Sequence, residues 1–245
     1  MKNKLLLVLV IFLLIQCKKT TIPVSSVIDN LTISNYNLLA DGYSSDTATV
    51  ALNNDAYSSK RYVVFKITGA LASKDTTKIN VVPATYLNGQ LNAQIIFKAP
   101  LKPGMIYISA SPLLDTFDQR NFTLNDSLRV NASIPSSIKL NPSGFGIQTS
   151  FGSEVMITGV LKNIFNNPVS LGNSVMFVDS LKNGNSAMGE FRQVVNPSDS
   201  MSKVSVGYSI FSGNVGDKIT IKAFVLDSSG MRLPFSDSTT LTVTK

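Results

Sequence analysis

The chain has 245 residues, a formal net charge of +7, 15% charged residues, a single cysteine, and neither histidine nor tryptophan. These absences exclude Ser-His-Asp and Cys-His catalysis, histidine metal sites and an intramolecular disulfide. Only Glu154 and Glu190 represent glutamate, a strong helix former, so the composition disfavours long solvated helices and favours strands and turns.

The first 16 residues have the pattern of a secretory signal peptide. Lys2 and Lys4 precede an unbroken apolar run over residues 5–15. This run is about half of the roughly 20 residues that a membrane-spanning helix needs, so it is typical of the hydrophobic region of a signal peptide. No cleavage site of the small-x-small type follows, and the run ends at the only cysteine, Cys17.

Leu14-Ile15-Gln16-Cys17 resembles the lipobox of bacterial lipoproteins, in a looser form similar to that of Bacteroidetes. The resemblance implies cleavage before Cys17 and acylation of its thiol, which would anchor the chain in a membrane. Acyl chains contribute about 0.8 kcal/mol per buried CH2, so a multiply acylated cysteine anchors stably. An uncleaved anchor, or a chance cysteine after an apolar run, is the alternative.

The residues after Cys17 bear on which membrane would hold the anchor. Lys18 is not the aspartate that the enterobacterial pattern uses for inner-membrane retention, so the resemblance implies the outer membrane of the cell envelope. The acidic surface-export signal of Bacteroidetes lipoproteins is missing, which leaves the periplasmic and surface leaflets both open. Cleavage removes Lys2 and Lys4 and lowers the charge from +7 to +5. The remaining cations are scattered, so no nucleic-acid partner is expected.

Beyond Pro23, apolar and polar residues alternate with a period of two. We predict strands over the following residues: 47–53, 61–67, 90–98, 105–110, 155–162, 174–178, 203–211, 218–226 and 241–243. One apolar face per strand, with turn clusters between strands, predicts antiparallel sheets packed face to face. The fold class is therefore all-β, built from short strands as in an Ig-like sandwich.

The strand pattern occurs twice, with offsets of about 105 to 115 residues, the length of one Ig-type domain. We predict a lipid-anchored tether over residues 17–27 and two Ig-like β-sandwiches over 28–130 and 131–245. The short linker around Ala132-Ser133-Ile134-Pro135 predicts end-to-end stacking with limited swing.

The motifs Ala40-Asp41-Gly42, Gly89-x-x-x-Ala93 and Gly104-x-x-x-Ile108 resemble the bacterial Ig-like repeats of invasins and intimins. The second copy keeps Val175-x-Phe177 and Gly216-x-x-Ile219 but lacks the Ala-Asp-Gly start. The resemblance implies a rigid spacer or adhesive stalk. Its motifs are structural glycines and core residues, so it supports the fold better than the role.

No catalytic or metal motif is present. Asn53-Asn54-Asp55 and Asp115-x-x-Asp118 offer oxygen ligands but lack EF-hand spacing, and such residues are the usual chemistry of tight turns. No Ser-x-x-Lys run begins a helix pattern, and some pair of carboxylates is expected by chance. We therefore expect no enzyme and no cofactor.

One polar pattern exceeds chance. Eight of the 13 aspartates are followed by Ser or Thr, and six of those triplets continue with Ala, Leu, Met or Thr. They resemble the O-glycosylation motif of Bacteroidetes, which would modify Thr47, Thr76, Ser127, Ser180, Ser200 and Ser238. The alternative interpretation is that Asp-Ser/Thr marks the turn before each strand, since both side chains hydrogen-bond local backbone.

The expected function is that of a non-catalytic outer-membrane lipoprotein, a binding, adhesive or spacer module with an unknown protein or glycan ligand. Its contact surface is expected at the distal loops of the second domain or at an exposed sheet edge. The alternative is a glycan-binding accessory lipoprotein of an uptake system. Sugar platforms depend on exposed aromatics, tryptophan is absent, and we interpret most of the dispersed tyrosines as strand-edge or core residues.

Overall fold

The structure is a computed structural model that describes residues 27–56, 61–69, 78–113, 122–227 and 229–245. Within these ranges the chain forms strands and turns without a helix, which confirms the predicted all-β class. No helix in these ranges is long and apolar enough to cross a membrane. Cys17 and the predicted signal peptide lie outside the described residues.

Two sheets of the first half pack face to face as a sandwich. The strands are β1 Ile28–Ile33, β2 Asn37–Leu39, β3 Ser45–Leu52, β4 Tyr62–Gly69, β5 Lys78–Pro83, β6 Thr85–Leu87, β7 Gln90–Lys98, β8 Gly104–Pro112 and β9 Leu124–Asn131. Sheet A has the order β1-β3-β7-β6, and sheet B has the order β2-β9-β8-β4-β5. Only β2, which runs parallel to β9, departs from antiparallel pairing among these strands.

The second half repeats this plan. Its strands are β10 Ser137–Pro142, β11 Gly146–Gln148, β12 Val155–Lys162, β13 Val175–Leu181, β14 Glu190–Val195, β15 Lys203–Ser209, β16 Lys218–Leu226 and β17 Arg232–Thr244. Sheet C has the order β10-β12-β15-β14, and sheet D has the order β11-β17-β16-β13. Sheet C corresponds to sheet A strand for strand, and sheet D corresponds to sheet B without β5.

The alternating residues form the two cores as predicted. In β3, Ala48, Val50 and Leu52 have no exposed surface, while Thr49 and Ala51 between them are half-buried. Each fully buried aliphatic side chain of this size contributes about 1.5 to 3 kcal/mol. Separate apolar clusters fill the two sandwiches, without a disulfide or a tryptophan in either.

Strand limits follow the prediction where apolar alternation is continuous, and depart from it elsewhere. Residues 90–98, 155–162 and 218–226 coincide with β7, β12 and β16. The strand predicted over 203–211 ends at Ser209, and Phe211 turns out to solvent. The strand predicted over 241–243 is the end of the long β17, whose first part is rich in Ser and Thr and is recognisable only by its pairing with β16.

The two sandwiches meet end to end through buried hydrogen bonds. The Oγ of Ser170, in the loop before β13, donates to the carbonyl of Ala40 at 2.9 Å and accepts the N–H of Ser133 at 2.8 Å. The N–H of Leu171 donates to the carbonyl of Leu101 at 2.9 Å. This end of the second sandwich is therefore occupied by the first, and its opposite end is distal.

Candidate binding surfaces

The predicted modification sites divide into described and undescribed residues. Cys17 and Thr76 lie outside the described residues. Of the other candidate hydroxyls, Thr47 lies in β3, Ser127 in β9, Ser180 in β13, Ser238 in β17 and Ser200 in a turn. Among the described triplets, Asp199-Ser200 alone precedes a strand, so the interpretation that the triplets mark turns is wrong for the other four described ones.

The aspartates of the described triplets make structural hydrogen bonds. The contacts are Asp46 with Ser34 Oγ and with the N–H of Asn35 (3.2 Å), Asp126 with Tyr36 Oη (2.8 Å), Asp199 with the N–H groups of Met201 (2.8 Å) and Lys203 (2.9 Å), and Asp237 with the N–H of Leu140 (2.7 Å). Because successive side chains of a strand alternate between faces, the following hydroxyl points to the opposite side. Ser200 and Ser238 are exposed, and the other described hydroxyls are half-buried.

Asp179 organises the inner side of the second sandwich. Its carboxylate accepts hydrogen bonds from Tyr208 Oη, Ser186 Oγ and the N–H of Gly189, each at 2.8 Å. Burial opposes its ionisation, but the hydrogen bonds outweigh that effect and hold the pKa of Asp179 below its usual value. Burial and the hydrogen bond to Asp179 raise the pKa of Tyr208, which therefore stays neutral. The pair is fully explained as a structural contact.

The oxygen-rich motif considered for calcium is a tight turn. Asn53 Oδ1 accepts the N–H of Asp55 at 2.9 Å, and Asn54 Oδ1 accepts the N–H of Leu91 at the same distance. Asp115-x-x-Asp118 lies outside the described residues. Within the described ranges, no group of three or more Cys, Asp and Glu side chains is placed to hold a metal ion.

The distal end of the second sandwich exposes large apolar side chains. Phe151 is 99% exposed, Met188 is 79% exposed and Phe211 is 58% exposed. Glu190, the first residue of β14, lies opposite Ser209, the last residue of β15, so Met188 and Phe211 both lie just beyond this end of sheet C. Val155, the first residue of β12, lies opposite Tyr208 near the end of β15, so the turn that carries Phe151 lies at the same end of sheet C as Phe211. We call these three apolar residues the distal tip.

A second surface, more polar, lies on the outer face of sheet B. It is a shallow groove of about 550 Å³, lined by Lys66, Thr68, Tyr107, Ile108, Ser109, Asn125, Asp126 and Ser127. The Tyr107 side chain is 55% exposed and lies directly opposite Ser127 across β8 and β9. One aromatic ring among hydroxyl, amide, ammonium and carboxylate groups suits a polar ligand with an apolar face.

The tyrosines are more exposed than the sequence interpretation expected. Tyr208 alone of the described tyrosines is buried, and Tyr86 lies on the edge strand β6. Tyr36, Tyr43, Tyr62, Tyr86 and Tyr107 are all between 41% and 67% exposed. Tyr107 follows Ile106 in the alternating strand, so alternation alone could have placed it outward. For the distal tip the available signal was Phe151, an aromatic residue inside a Thr-Ser-Phe-Gly-Ser turn.

Comparison with solved structures places the fold. Invasin, described as a bacterial integrin-binding protein, matches with a TM-score of 0.60 and 14% identity over 88% of this chain and 39% of that chain. The Yersinia pseudotuberculosis adhesin InvE gives 0.44, with 16% identity over 90% and 61%. A glycosyl hydrolase family 2 member from Bacteroides cellulosilyticus gives 0.33, with 14% identity over 86% and 24%.

The invasin likeness confirms the predicted fold: this chain is a pair of tandem Ig-like β-sandwiches similar to those of the invasin structure. The chain spans about two fifths of the length of the invasin structure. Neither a family profile nor a curated protein sequence matches the chain.

Proposed function

We propose that the protein is a non-catalytic binding or adhesive module of the bacterial cell envelope that contacts its partner through the distal tip. The observation that carries this proposal is the exposure of Phe151, Met188 and Phe211 in loops at the end farthest from the first sandwich. Exposed apolar side chains grouped in this way are typical of interaction sites. The Ig-like fold shared with the integrin-binding protein invasin supports the same role.

Attachment tests this role directly. Beads coated with the mature chain are expected to adhere to cultured epithelial cells, and Phe151→Ser with Phe211→Ser is expected to reduce adhesion severely because the apolar contact is lost. Phe165→Ser is the matched control, since Phe165 is 64% exposed and lies in the turn after β12, at the opposite end of the sandwich. Equal adhesion by the tip variant and the control would refute the assignment.

The proposed anchor is Cys17, which would become the acylated N-terminus after removal of residues 1–16. The chain would then be held at the outer membrane by a tether over residues 17–27, followed by sandwiches over 28–130 and 131–245. The resemblance of Leu14-Ile15-Gln16-Cys17 to a lipobox supports this arrangement. Cys17→Ala is expected to abolish palmitate labelling and processing; a variant that remains processed and membrane-bound would contradict the anchor.

The proposed O-glycosylation sites are Thr47, Thr76, Ser127, Ser180, Ser200 and Ser238. The outward orientation of the described hydroxyls supports modification, and the exposed Ser200 and Ser238 are the most accessible of them. Intact-mass measurement on protein from its native host is expected to exceed the mass of the acylated polypeptide by whole sugar units. A mass equal to the acylated polypeptide would exclude glycosylation.

The alternative function is glycan binding in the groove of sheet B. The observation that favours it is the exposed Tyr107 ring surrounded by hydrogen-bonding side chains. Tyr107→Ala is expected to abolish retention on a polysaccharide affinity gel, because the ring supplies the apolar stacking face. Tyr62→Ala is the matched control: Tyr62 is 41% exposed, on the same sheet and outside the groove. Equal retention of both variants would exclude the groove.

A further inference from the structure

The second sandwich lacks a strand that the first one has. Sheet B ends at β5, which pairs antiparallel with β4, whereas β13, the counterpart of β4, pairs only with β16. The chain between β13 and β15 supplies β14 to sheet C and no strand to sheet D. Among the described residues, β13 is therefore an edge strand where the first sandwich carries one strand more.

The backbone of β13 presents alternate residues to this free edge. The carbonyl of Ser174 accepts the N–H of Leu226 at 2.9 Å, so even-numbered residues bond to β16 and odd-numbered residues face away. At Val175 an amide side chain takes the place of a neighbouring strand. Asn196 Oδ1 accepts the N–H of Val175 at 3.2 Å, and Asn196 Nδ2 donates to its carbonyl at 2.7 Å.

The other end of the edge is closed as well. The N–H of Leu181 donates to the carbonyl of Asn185 at 2.7 Å, and the carbonyl of Leu181 accepts the N–H of Gly184 at 2.9 Å. Between the two ends, Phe177 and Asp179 direct their backbone N–H and C=O groups to a side where the described residues place no strand. Such a row is a template for pairing with another chain.

A groove of mixed polarity lies beside this edge, with Gln193 and Asn196 as well as aromatic rings in its lining. A cavity of about 380 Å³ opens between β13 and β14, and its lining includes Phe177, Phe191 and Val206. The rings of Phe177 and Phe191 have centroids 6.1 Å apart. In the first sandwich, β5 supplies Val82, which packs against the core beside β4. A strand added to β13 would insert an apolar side chain in the same manner.

The solvent side of the same edge carries positive charge. Lys222 lies directly across from Val178, and the guanidinium of Arg232 lies 4.3 Å from the ring centroid of Phe224. Arg232 Nη2 lies 4.0 Å from Met176 Sδ, so this cation borders β13. An added strand would run beside Met176 and Val178 on the same face of the sheet. Its outward face would therefore be complementary if it carried a carboxylate.

We propose that the free edge of β13 binds a short extended segment of a partner protein as an added antiparallel strand. Apolar side chains at alternate positions of that segment face Phe177 and Phe191, and an acidic side chain faces outward near Lys222. The main-chain hydrogen bonds supply affinity, and the groove supplies selectivity. This inference rests on the proposed function as a binding module and names the conformation and chemistry of the partner.

Residue-resolved amide exchange tests the proposal. The probe is a short synthetic peptide with valine at every second position and threonine and aspartate between. In the free protein, the amides of Phe177 and Asp179 are expected to exchange rapidly, and those of Met176 and Val178 slowly. Saturation with the peptide is expected to slow Phe177 and Asp179 by about tenfold or more, because their N–H groups become hydrogen-bonded.

Two controls make the result specific. Methylating the peptide nitrogens that face β13 is expected to abolish protection, whereas methylating the alternate nitrogens is expected to preserve it. Phe151→Ser with Phe211→Ser is expected to leave protection unchanged, so failure of the distal tip and failure of the edge are distinguishable. Slow exchange at Phe177 and Asp179 without peptide, protection that rises with protein concentration alone, or no protection at saturating peptide would each overturn the proposal.

Discussion

One small side chain, that of Ser170, makes a buried hydrogen bond between the two sandwiches. Ser170 is 5% exposed, and its hydroxyl donates to Ala40 and accepts from Ser133. Ser170→Ala leaves a buried carbonyl and a buried N–H without this partner. Each unsatisfied buried group costs about 1 to 3 kcal/mol, so the expected loss for the two groups is about 2 to 6 kcal/mol. A cavity of about 620 Å³ adjoins Ser133 and Ser170, and water entering from it would place the loss near the lower value.

The variant is expected to change both stability and geometry. For a chain of this size, each kcal/mol lowers Tm by roughly 2 to 4 °C, which is measurable by calorimetry. Spin labels at Ile96→Cys and Met231→Cys, with Cys17 replaced by serine, report the distance between the sandwiches. That distribution is expected to broaden in Ser170→Ala, because the polar contacts that hold the junction are lost.

The matched control is Ser238→Ala, which removes the same atom from an exposed position on β17. It is expected to leave Tm and the distance distribution unchanged. If Ser170→Ala behaved like this control in both measurements, the junction would not depend on the Ser170 hydroxyl and the reasoning would be wrong.

Two further predictions concern the inner contacts of the second sandwich. Asp179 has a lowered pKa in the folded state, so its stabilising effect is present at neutral pH and is lost as the pH falls through its folded pKa. Asp179→Asn is therefore expected to lower Tm at pH 7 and to flatten the acid side of a plot of Tm against pH. An unchanged acid side of this plot would contradict the prediction. A Cβ on Gly189 would collide with the Tyr208 ring. Gly189→Ala is therefore expected to lower the free energy of unfolding by about 1 to 3 kcal/mol, as measured by urea denaturation. The control is Gly144→Ala, which is expected to leave stability unchanged because there is open space around Gly144.

Local alternation explains how much of the fold was predictable. Strands β7, β12 and β16 coincide with the predicted ranges because one apolar residue in every two must face a core. The same rule, applied to Ile106-Tyr107-Ile108, assigns Tyr107 to the solvent side, so part of the groove could have been found from the sequence. The first part of β17 could not, because its Ser and Thr residues carry no apolar period and only pairing with β16 makes it a strand.

The candidate surfaces depend on contacts between distant parts of the chain. The distal tip exists because β12 and β14 both flank β15, so the loops that carry Phe151, Met188 and Phe211 lie at the same end of sheet C. Asp179 has the same local sequence pattern as the other Asp-Ser triplets, and only the tertiary structure makes it a half-buried acceptor for Tyr208, Ser186 and Gly189.

The sequence by itself determined the all-β class, the two-fold repetition and the strands with continuous alternation, because the burial of alternate residues is a local property. Only the tertiary structure decided that β5 extends sheet B and that sheet D has no equivalent strand. The pattern within β13 is the same whether or not a neighbour lies beside it. Which backbone groups remain free is set by pairing between segments far apart in sequence.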